Sequence, residues 1–168
     1  WGLRVRYADE GERLRGTAGA LADAARSGLL DERFLVIYGD SYLSLPVPEL
    51  WRTFLDGGAP MLLSVYRNDN AHDRSNVRYE DGRVVRYEKG VPDPAALGMH
   101  HIDYGLSAMR RDALLAEVPV GDAPHDLADL QHRLSVRGEL AGFEVADRFY
   151  EIGSPDGLAE LEAHLAAR

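Results

Sequence analysis

Asp40 is the residue best placed to do chemistry. It follows four consecutive apolar residues, Phe34-Leu-Val-Ile37, and a Tyr-Gly step. A strand that is apolar at every position, not at alternate ones, is expected to be buried on both faces of a sheet. Gly39 allows a sharp turn and a close approach to the backbone, so Asp40 presents a carboxylate at the carboxyl end of a central strand, where open α/β sheets bind ligands. A hard oxygen donor at that place suits a divalent metal carried by a nucleotide. The second candidate is Lys89, the one lysine among nineteen basic residues. A single ammonium in an arginine-rich chain raises the question of whether a compact charge is needed there, and an exposed loop lysine is the plain alternative. The third is Gly16-Thr17, at the head of an alanine-rich segment ending at Arg26. The open end of a helix offers N–H groups and a hydroxyl to a polar ligand, and a threonine there can equally well cap the helix. Histidine offers less. His100-His101 is the one adjacent pair, and neighbours on a strand point to opposite faces, which makes a poor metal clamp.

The elements that must hold these residues follow from spacing. Gly2-Leu-Arg-Val-Arg-Tyr7 alternates as a strand does, a helix runs from about Ala18 to Arg26, and Gly28 ends it before the Phe34–Ile37 strand. A helix over Glu49 to Asp56 lies between Pro46/Pro48 and Gly57-Gly58, and Met61 to Tyr66 is the next buried strand. Helix, buried strand, helix, buried strand is the grammar of a parallel α/β sheet. Residues 67–76 form a polar connection long enough to suggest a function. Val77–Tyr79 and Arg83–Tyr87 flank an Asp81-Gly82 hairpin turn. His101 to Met109 reads as a strand whose central Gly105 marks close approach of a ligand or backbone. After a short helix over Arg111 to Glu117, Leu127, Leu130 and Leu134 form one helical core face. Strands at Leu140–Val145 and Arg148–Ile152 precede a helix capped by Ser154 with Pro155 in its first turn.

At 168 residues, 45% hydrophobic and 28% charged, the chain has one ordinary core and reads as one domain. A net charge of −9 and a pI near 5.1 argue against a sequence-independent grip on nucleic acid. An anionic ligand therefore needs a local cation or a metal. With no cysteine, disulfides and thiolate zinc sites are excluded, which is compatible with the cytoplasm. No apolar run approaches the roughly 20 residues of a membrane-spanning helix.

The ordered set Gly16-Thr-Ala-Gly-Ala-Leu21, Phe34 to Asp40, Glu88-Lys89 and Glu151-Ile-Gly-Ser-Pro-Asp156 resembles the sugar-phosphate nucleotidylyltransferases, the family of mannose-1-phosphate guanylyltransferase and glucose-1-phosphate thymidylyltransferase. The resemblance covers nearly the whole chain. It implies a Rossmann-like, mixed but mainly parallel sheet with flanking helices, and a Mg²⁺-dependent reaction joining a sugar 1-phosphate to a nucleoside triphosphate with release of pyrophosphate. Carried over by position, it implies that Gly16 and Thr17 meet the nucleobase and that Gly39-Asp40 is the metal-binding Gly-Asp. Glu88 would hold sugar hydroxyls and Lys89 the sugar phosphate. Asp103 and Gly105 would lie on the sugar-contacting strand, and Asn76 would reach the sugar from the long loop. Glu151 would supply the second carboxylate to the metal where the family commonly has aspartate. The wider look of Asp103-Tyr-Gly105 and Tyr150-Glu151 is similar to bacterial mannose- and heptose-phosphate guanylyltransferases.

One departure is an absence. The family's opening strands and Gly-rich phosphate loop have no counterpart here, and the family's first strand lies beside the one matched by Phe34–Ile37. The expectation is that these residues, opening at Trp1, are part of a longer polypeptide, or that another chain completes the sheet, and that alone they turn over little or no substrate. Two alternatives stand beside catalysis. One is a non-catalytic sugar-nucleotide-binding or regulatory domain. The other is a glycosyltransferase with an acidic metal site, against which Ser41 counts, since those enzymes usually carry a second aspartate two residues after the first.

Overall fold

The computed structural model describes residues 2–121 and 123–167; Trp1, Asp122 and Arg168 lie outside the described residues. Five helices and eight strands follow in the order α1 (Gly16–Arg26), β1 (Arg33–Ile37), β2 (Ser41–Tyr42), α2 (Val47–Gly57), β3 (Met61–Arg67), β4 (Val77–Glu80), β5 (Arg83–Tyr87), β6 (His101–Arg110), α3 (Arg111–Glu117), α4 (Leu127–Val136), β7 (Leu140–Val145), β8 (Tyr150–Glu151) and α5 (Pro155–Ala166). Six strands form one sheet in the order β1-β6-β3-β7-β5-β4, and β2 pairs with β8 separately.

The class is mixed α/β with helices on both faces, as expected, but the sheet is not mainly parallel. Only β3 and β7 pair in parallel; every other paired strand is antiparallel. The reason is the ten-residue strand β6, which enters between β1 and β3 and runs against both. Strands β1 and β3 do point the same way, as helix-linked strands should, but they are not neighbours.

Period-two geometry explains the apolar run of β3, in which all five residues from Met61 to Val65 are buried. Met61, Leu63 and Val65 join Ala18, Ala22 and Ala25 of α1 and the leucines 127, 130 and 134 of α4 in one core. Leu62 faces the other way, onto Leu50 and Phe54 of α2. Each of the α4 leucines is at most 2% exposed, and burial on that scale stabilises by roughly 2 kcal/mol apiece. The hairpin is as read: Asp81 and Gly82 both have positive φ, 46° and 79°, the conformation a two-residue turn with strand-matching twist requires.

Strand β1 departs from expectation. Phe34 is buried, but Leu35 is 39% and Ile37 58% exposed, and among the described residues β1 is an edge strand with β6 as its one neighbour. Full burial of its second face would need a further neighbour. Residues 2–10 also differ: they form no strand, and Leu3, Val5 and Tyr7 are exposed. An alternating segment forms a strand only when a partner takes up its backbone groups, and among the described residues none does. The strand read at Arg148–Ile152 shrinks to Tyr150–Glu151, while the cap of α5 is as read, with Ser154 Oγ accepting from Gly157 N.

Candidate functional site

The turn after β1 leads directly into a small strand pair. Ser41 of β2 lies opposite Glu151 of β8, and Ile152 N donates to Asp40 O at 2.8 Å. Two carboxylates far apart in the sequence are thereby made neighbours. Asp40 is exposed, with Ser41 Oγ 3.3 Å from its Oδ1. Gly39 sits beside it, and a side chain there would meet nothing within 4 Å, so no protein group makes the close approach that this glycine permits. Burial raises the Glu151 carboxyl above the usual range, helped by the charges of Asp73 and Asp40 and opposed by Lys89.

Strand β6 and the hairpin supply the opposite wall. Asn76 N donates to His101 O, Glu88 N to Asn76 O, and Asp103 N to the Asn76 side-chain oxygen at 3.0 Å. The Asn76 amide is thus oriented with its NH₂ end lacking a protein partner among the described residues, free to donate to a ligand. Asp103 Oδ1 accepts from Gly105 N at 2.9 Å, and its Oδ2 lies near Tyr87 Oη and Gln131 Nε2. Burial holds the Asp103 carboxyl above its ordinary value against those donors and Lys89. Gly105, at φ 99°, lets β6 pass under the turn: its missing Cβ would lie 3.5 Å from both the Ser41 hydroxyl and the Tyr38 ring. The Tyr38 phenol is kept protonated, first by burial and then by the charges of Asp103, Asp126 and Asp40.

These groups enclose a cavity of about 420 Å³, lined among others by Asp40, Asn76, Lys89, Asp103, Gly105 and Glu151. Six of the residues selected from the sequence are therefore in one place, at the ends of β1 and β3 where both strands run out. Four are not in its lining. Gly39 adjoins it. Glu88 is turned to Arg86, which binds its Oε2 through Nε at 2.9 Å and Nη2 at 2.6 Å. A carboxylate so engaged is a poor receptor for sugar hydroxyls. Gly16 and Thr17 lie at the start of α1, where two of the first-turn N–H groups are taken: Ala18 N and Gly19 N both donate to His125 O, at 2.9 and 3.1 Å. The Thr17 hydroxyl does not cap α1 either. It donates to Asp126 Oδ1 at 3.0 Å and accepts from Leu127 N at 2.7 Å, so it braces the start of α4.

Sequence reasoning missed five residues here. Tyr38 and Gln131 look like core residues from their surroundings in the chain. Asp126 looks like a helix cap, and it is one, with Ala128 N donating to it at 3.0 Å; that bond first, then Thr17 and Lys89, holds its carboxyl below the usual range. Asp73 and Arg74 come from the long polar loop, whose length was the only signal. The lining holds four carboxylates, Asp40, Asp73, Asp103 and Glu151, against two cations, Arg74 and Lys89. Among the described residues no three His, Asp or Glu side chains form a metal cage, and no helix is long and apolar enough to cross a membrane.

No family model and no curated protein matches the sequence. Solved structures do. A protein of Bacillus anthracis assigned as a glucose-1-phosphate thymidylyltransferase superposes with a TM-score of 0.75 at 15% identity, covering 91% of this chain and 62% of that one. HddC from Yersinia pseudotuberculosis does so with 0.69 at 22% identity, covering 92% and 64%. The inositol-1-phosphate CTP transferase of T. maritima gives 0.68 at 18% identity, covering 91% and 62%. The chain thus spans less than two thirds of the length of each of these structures. What the likeness carries is the fold, and the fold of this chain is that of the sugar-phosphate nucleotidyltransferases.

Proposed function

We propose that this chain carries the metal- and sugar-phosphate-binding part of a sugar-1-phosphate nucleotidyltransferase, a Mg²⁺-dependent enzyme of nucleotide-sugar biosynthesis. One observation carries the reading: Asp40, Lys89 and Glu151, with Asn76, Asp103 and Gly105, line one cavity although the outermost of them are separated by most of the chain. In the reaction an oxygen of the sugar 1-phosphate attacks the α-phosphorus of the nucleoside triphosphate. A new P–O bond forms as the bond to the β-phosphate bridge breaks, and pyrophosphate leaves. The nucleophile is already ionised, so no general base is needed and the work is positioning and charge neutralisation.

Charge supports a metal. A cavity with four carboxylates and two cations repels phosphate groups unless further positive charge enters. Asp40 and Glu151 fit Mg²⁺, which takes one or two carboxylates, water and phosphate oxygens, and burial first, then the charges of Asp73 and Asp40, push the Glu151 carboxyl up. A bound Mg²⁺ would offset the repulsion between the two anionic reactants. The chain's own residues do the rest. Lys89 attracts the sugar phosphate, the Asn76 amide and Asp103 carboxylate read sugar hydroxyls, and Tyr38 stays a neutral donor. Gly16 and Thr17 remain candidates for nucleobase contact through their position beside Asp126.

The open edge of β1 completes the proposal. Its exposed Leu35 and Ile37 fit a strand contributed from outside these 168 residues, by the same polypeptide or by another chain, which would also bring the phosphate-binding loop. The test is pyrophosphate release by the complete polypeptide with Mg²⁺ and a panel of nucleoside triphosphates and sugar 1-phosphates. Turnover is expected with at least one pair and is expected to be lost in Asp40→Ala. Absence of turnover with every pair would leave the binding-domain reading, and transfer of sugar to an acceptor would leave the glycosyltransferase.

A further inference from the structure

The connection between β3 and β4 is built, not slack. Asn68 is 2% and Ser75 1% exposed, unusual burial for polar residues of a loop. Asn68 Nδ2 donates to Asp73 O at 2.6 Å and to Ser75 Oγ at 3.2 Å, while its Oδ1 accepts from His72 N at 3.2 Å. Asn70 and Ser75 bond reciprocally, Asn70 N to Ser75 Oγ at 3.1 Å and Ser75 N to Asn70 Oδ1 at 2.9 Å. The backbone N–H groups of Asn68 and Asp69 both end on His100 O at 2.9 Å. Asp69 and Asn70 take left-handed φ values of 45° and 61°, which residues of this type tolerate and which such a network can enforce. The result is that residues 73 and 74 are presented at the cavity as fixed groups.

What the loop presents is a cation without a counter-ion. The Arg74 backbone N–H donates to Asp73 Oδ1 at 2.6 Å, but its guanidinium makes one hydrogen bond, from Nη1 to Val91 O at 3.4 Å, just beyond Lys89, and has no carboxylate partner among the described residues. Arg67, Arg78, Arg86 and Arg110 each lie against an acidic side chain. Arg74 and Lys89 are the two cations of the lining, and Arg74 is held to the segment that follows Lys89. A planar guanidinium with open donors in the same cavity as an ammonium can receive a tetrahedral oxyanion, since its paired N–H groups match two phosphate oxygens.

We propose that Arg74 is a second phosphate-binding residue, which grips the phosphoryl group of the sugar substrate together with Lys89 and makes the site select phosphorylated over free sugars. This rests on the nucleotidyltransferase reading of the same cavity. It also assigns the buried Asn68–Ser75 network a purpose, because a guanidinium on a rigid loop loses little conformational freedom when the anion arrives.

The test is calorimetric titration of the complete polypeptide, in Mg²⁺, with glucose 1-phosphate and mannose 1-phosphate, with free glucose and mannose, and with nucleoside triphosphates. Arg74→Gln is expected to weaken the preferred sugar 1-phosphate by about 10- to 100-fold, the range of a lost charge-assisted contact, and to leave free-sugar and triphosphate binding within about twofold. Arg74→Lys should recover part of the loss, and the melting temperature should stay at the wild-type value. In steady state the KM for the sugar phosphate rises while the KM for the triphosphate is unchanged. Equal weakening of free and phosphorylated sugar, or no weakening at all, overturns the role of Arg74 and leaves the nucleotidyltransferase reading standing. A folded wild-type protein that binds none of the sugar phosphates overturns both.

Discussion

Gly157 offers a test in which a general rule and a local contact predict opposite signs. It is half-buried in the first turn of α5, in a helix where alanine is ordinarily better than glycine by about 1 kcal/mol. In this protein the Cβ of Gly157→Ala would stand 2.1 Å from the carbonyl oxygen of Glu151 and 3.2 Å from its carbonyl carbon. Contacts under 3.0 Å are essentially never seen, so helix or strand must move by about 0.9 Å. Neither side yields freely. Glu151 is paired with Ser41, Ile152 N is bonded to Asp40 O at 2.8 Å, and Gly157 N is itself the donor that Ser154 caps at 3.1 Å. Overpacking of this kind costs about 1–3 kcal/mol, which offsets the propensity gain and leaves the variant between equal to wild type and about 2 kcal/mol less stable. Function should respond more strongly, because a displacement near 1 Å in a positioned catalytic group can cost about 10²-fold in rate. The assay pairs denaturant unfolding with Mg²⁺-dependent pyrophosphate release by the complete polypeptide. Stability at or below wild type with turnover reduced about 100-fold is expected. A variant that gains about 1 kcal/mol and turns over normally would show that the α5–β8 contact does not place Glu151, and the argument would fail.

Two further predictions concern pH. Burial raises the Asp103 carboxyl, so the folded state keeps this proton at higher pH than the unfolded chain does; stability falls as pH rises from the unfolded value of about 3.9 through the folded one. Asp103→Asn removes that dependence and can also donate to Gln131 Oε1, the one buried side-chain oxygen without a partner among the described residues. The variant's unfolding free energy should gain on wild type as pH rises from the unfolded value through the folded one, and parallel curves would count against the assignment. Glu117 behaves in the opposite sense. Burial opposes its charge, but bonds from Arg133 at 2.9 Å and from Arg137 outweigh it and hold the carboxyl low. Its contribution is present above the unfolded value and lost as pH falls through the folded one. Glu117→Gln should cost about 1 kcal/mol at pH 7, given that both arginines are partly solvated, and progressively less as pH falls through the folded value, as read by urea unfolding.

Most of the elements were legible because periodicity and caps are local properties. The α4 leucines, the Asp81-Gly82 hairpin and the Ser154 cap are all where their spacing puts them. What the local pattern could not show was who pairs with whom. The apolar runs of β1 and β3 read alike, yet one is an edge and the other is central, since only the insertion of β6 decides it. The same limit governs the site. Asp40 was found from a strand end, a local cue, and Lys89 from being the one lysine. Thr17 read as a cap of its own helix, and it takes the tertiary fold to show it bracing the start of α4 beside Asp126. Glu88 and Lys89 are neighbours in the chain with separate fates, one tied to Arg86 and the other in the cavity.

The smallest element bears most of the functional geometry. Asp40 and Glu151 meet through β2 and β8, two residues each, and an isolated pair of that size has no stability of its own. It is held from both sides. Gly105 gives the turn room to sit on β6, and α5, anchored through Leu161 and capped by Ser154, presses on the carbonyl of Glu151. Aromatic contacts add to this: Tyr150 stacks on His164 of α5 with ring centres 4.4 Å apart, and Tyr42 packs edge-on to both. The Glu151 carboxylate is therefore placed by the terminal helix as well as by the turn that sits on the main sheet. It follows that loosening α5 should weaken Mg²⁺-dependent binding before it unfolds the sheet, so that in a thermal series the loss of ligand response precedes the loss of β signal.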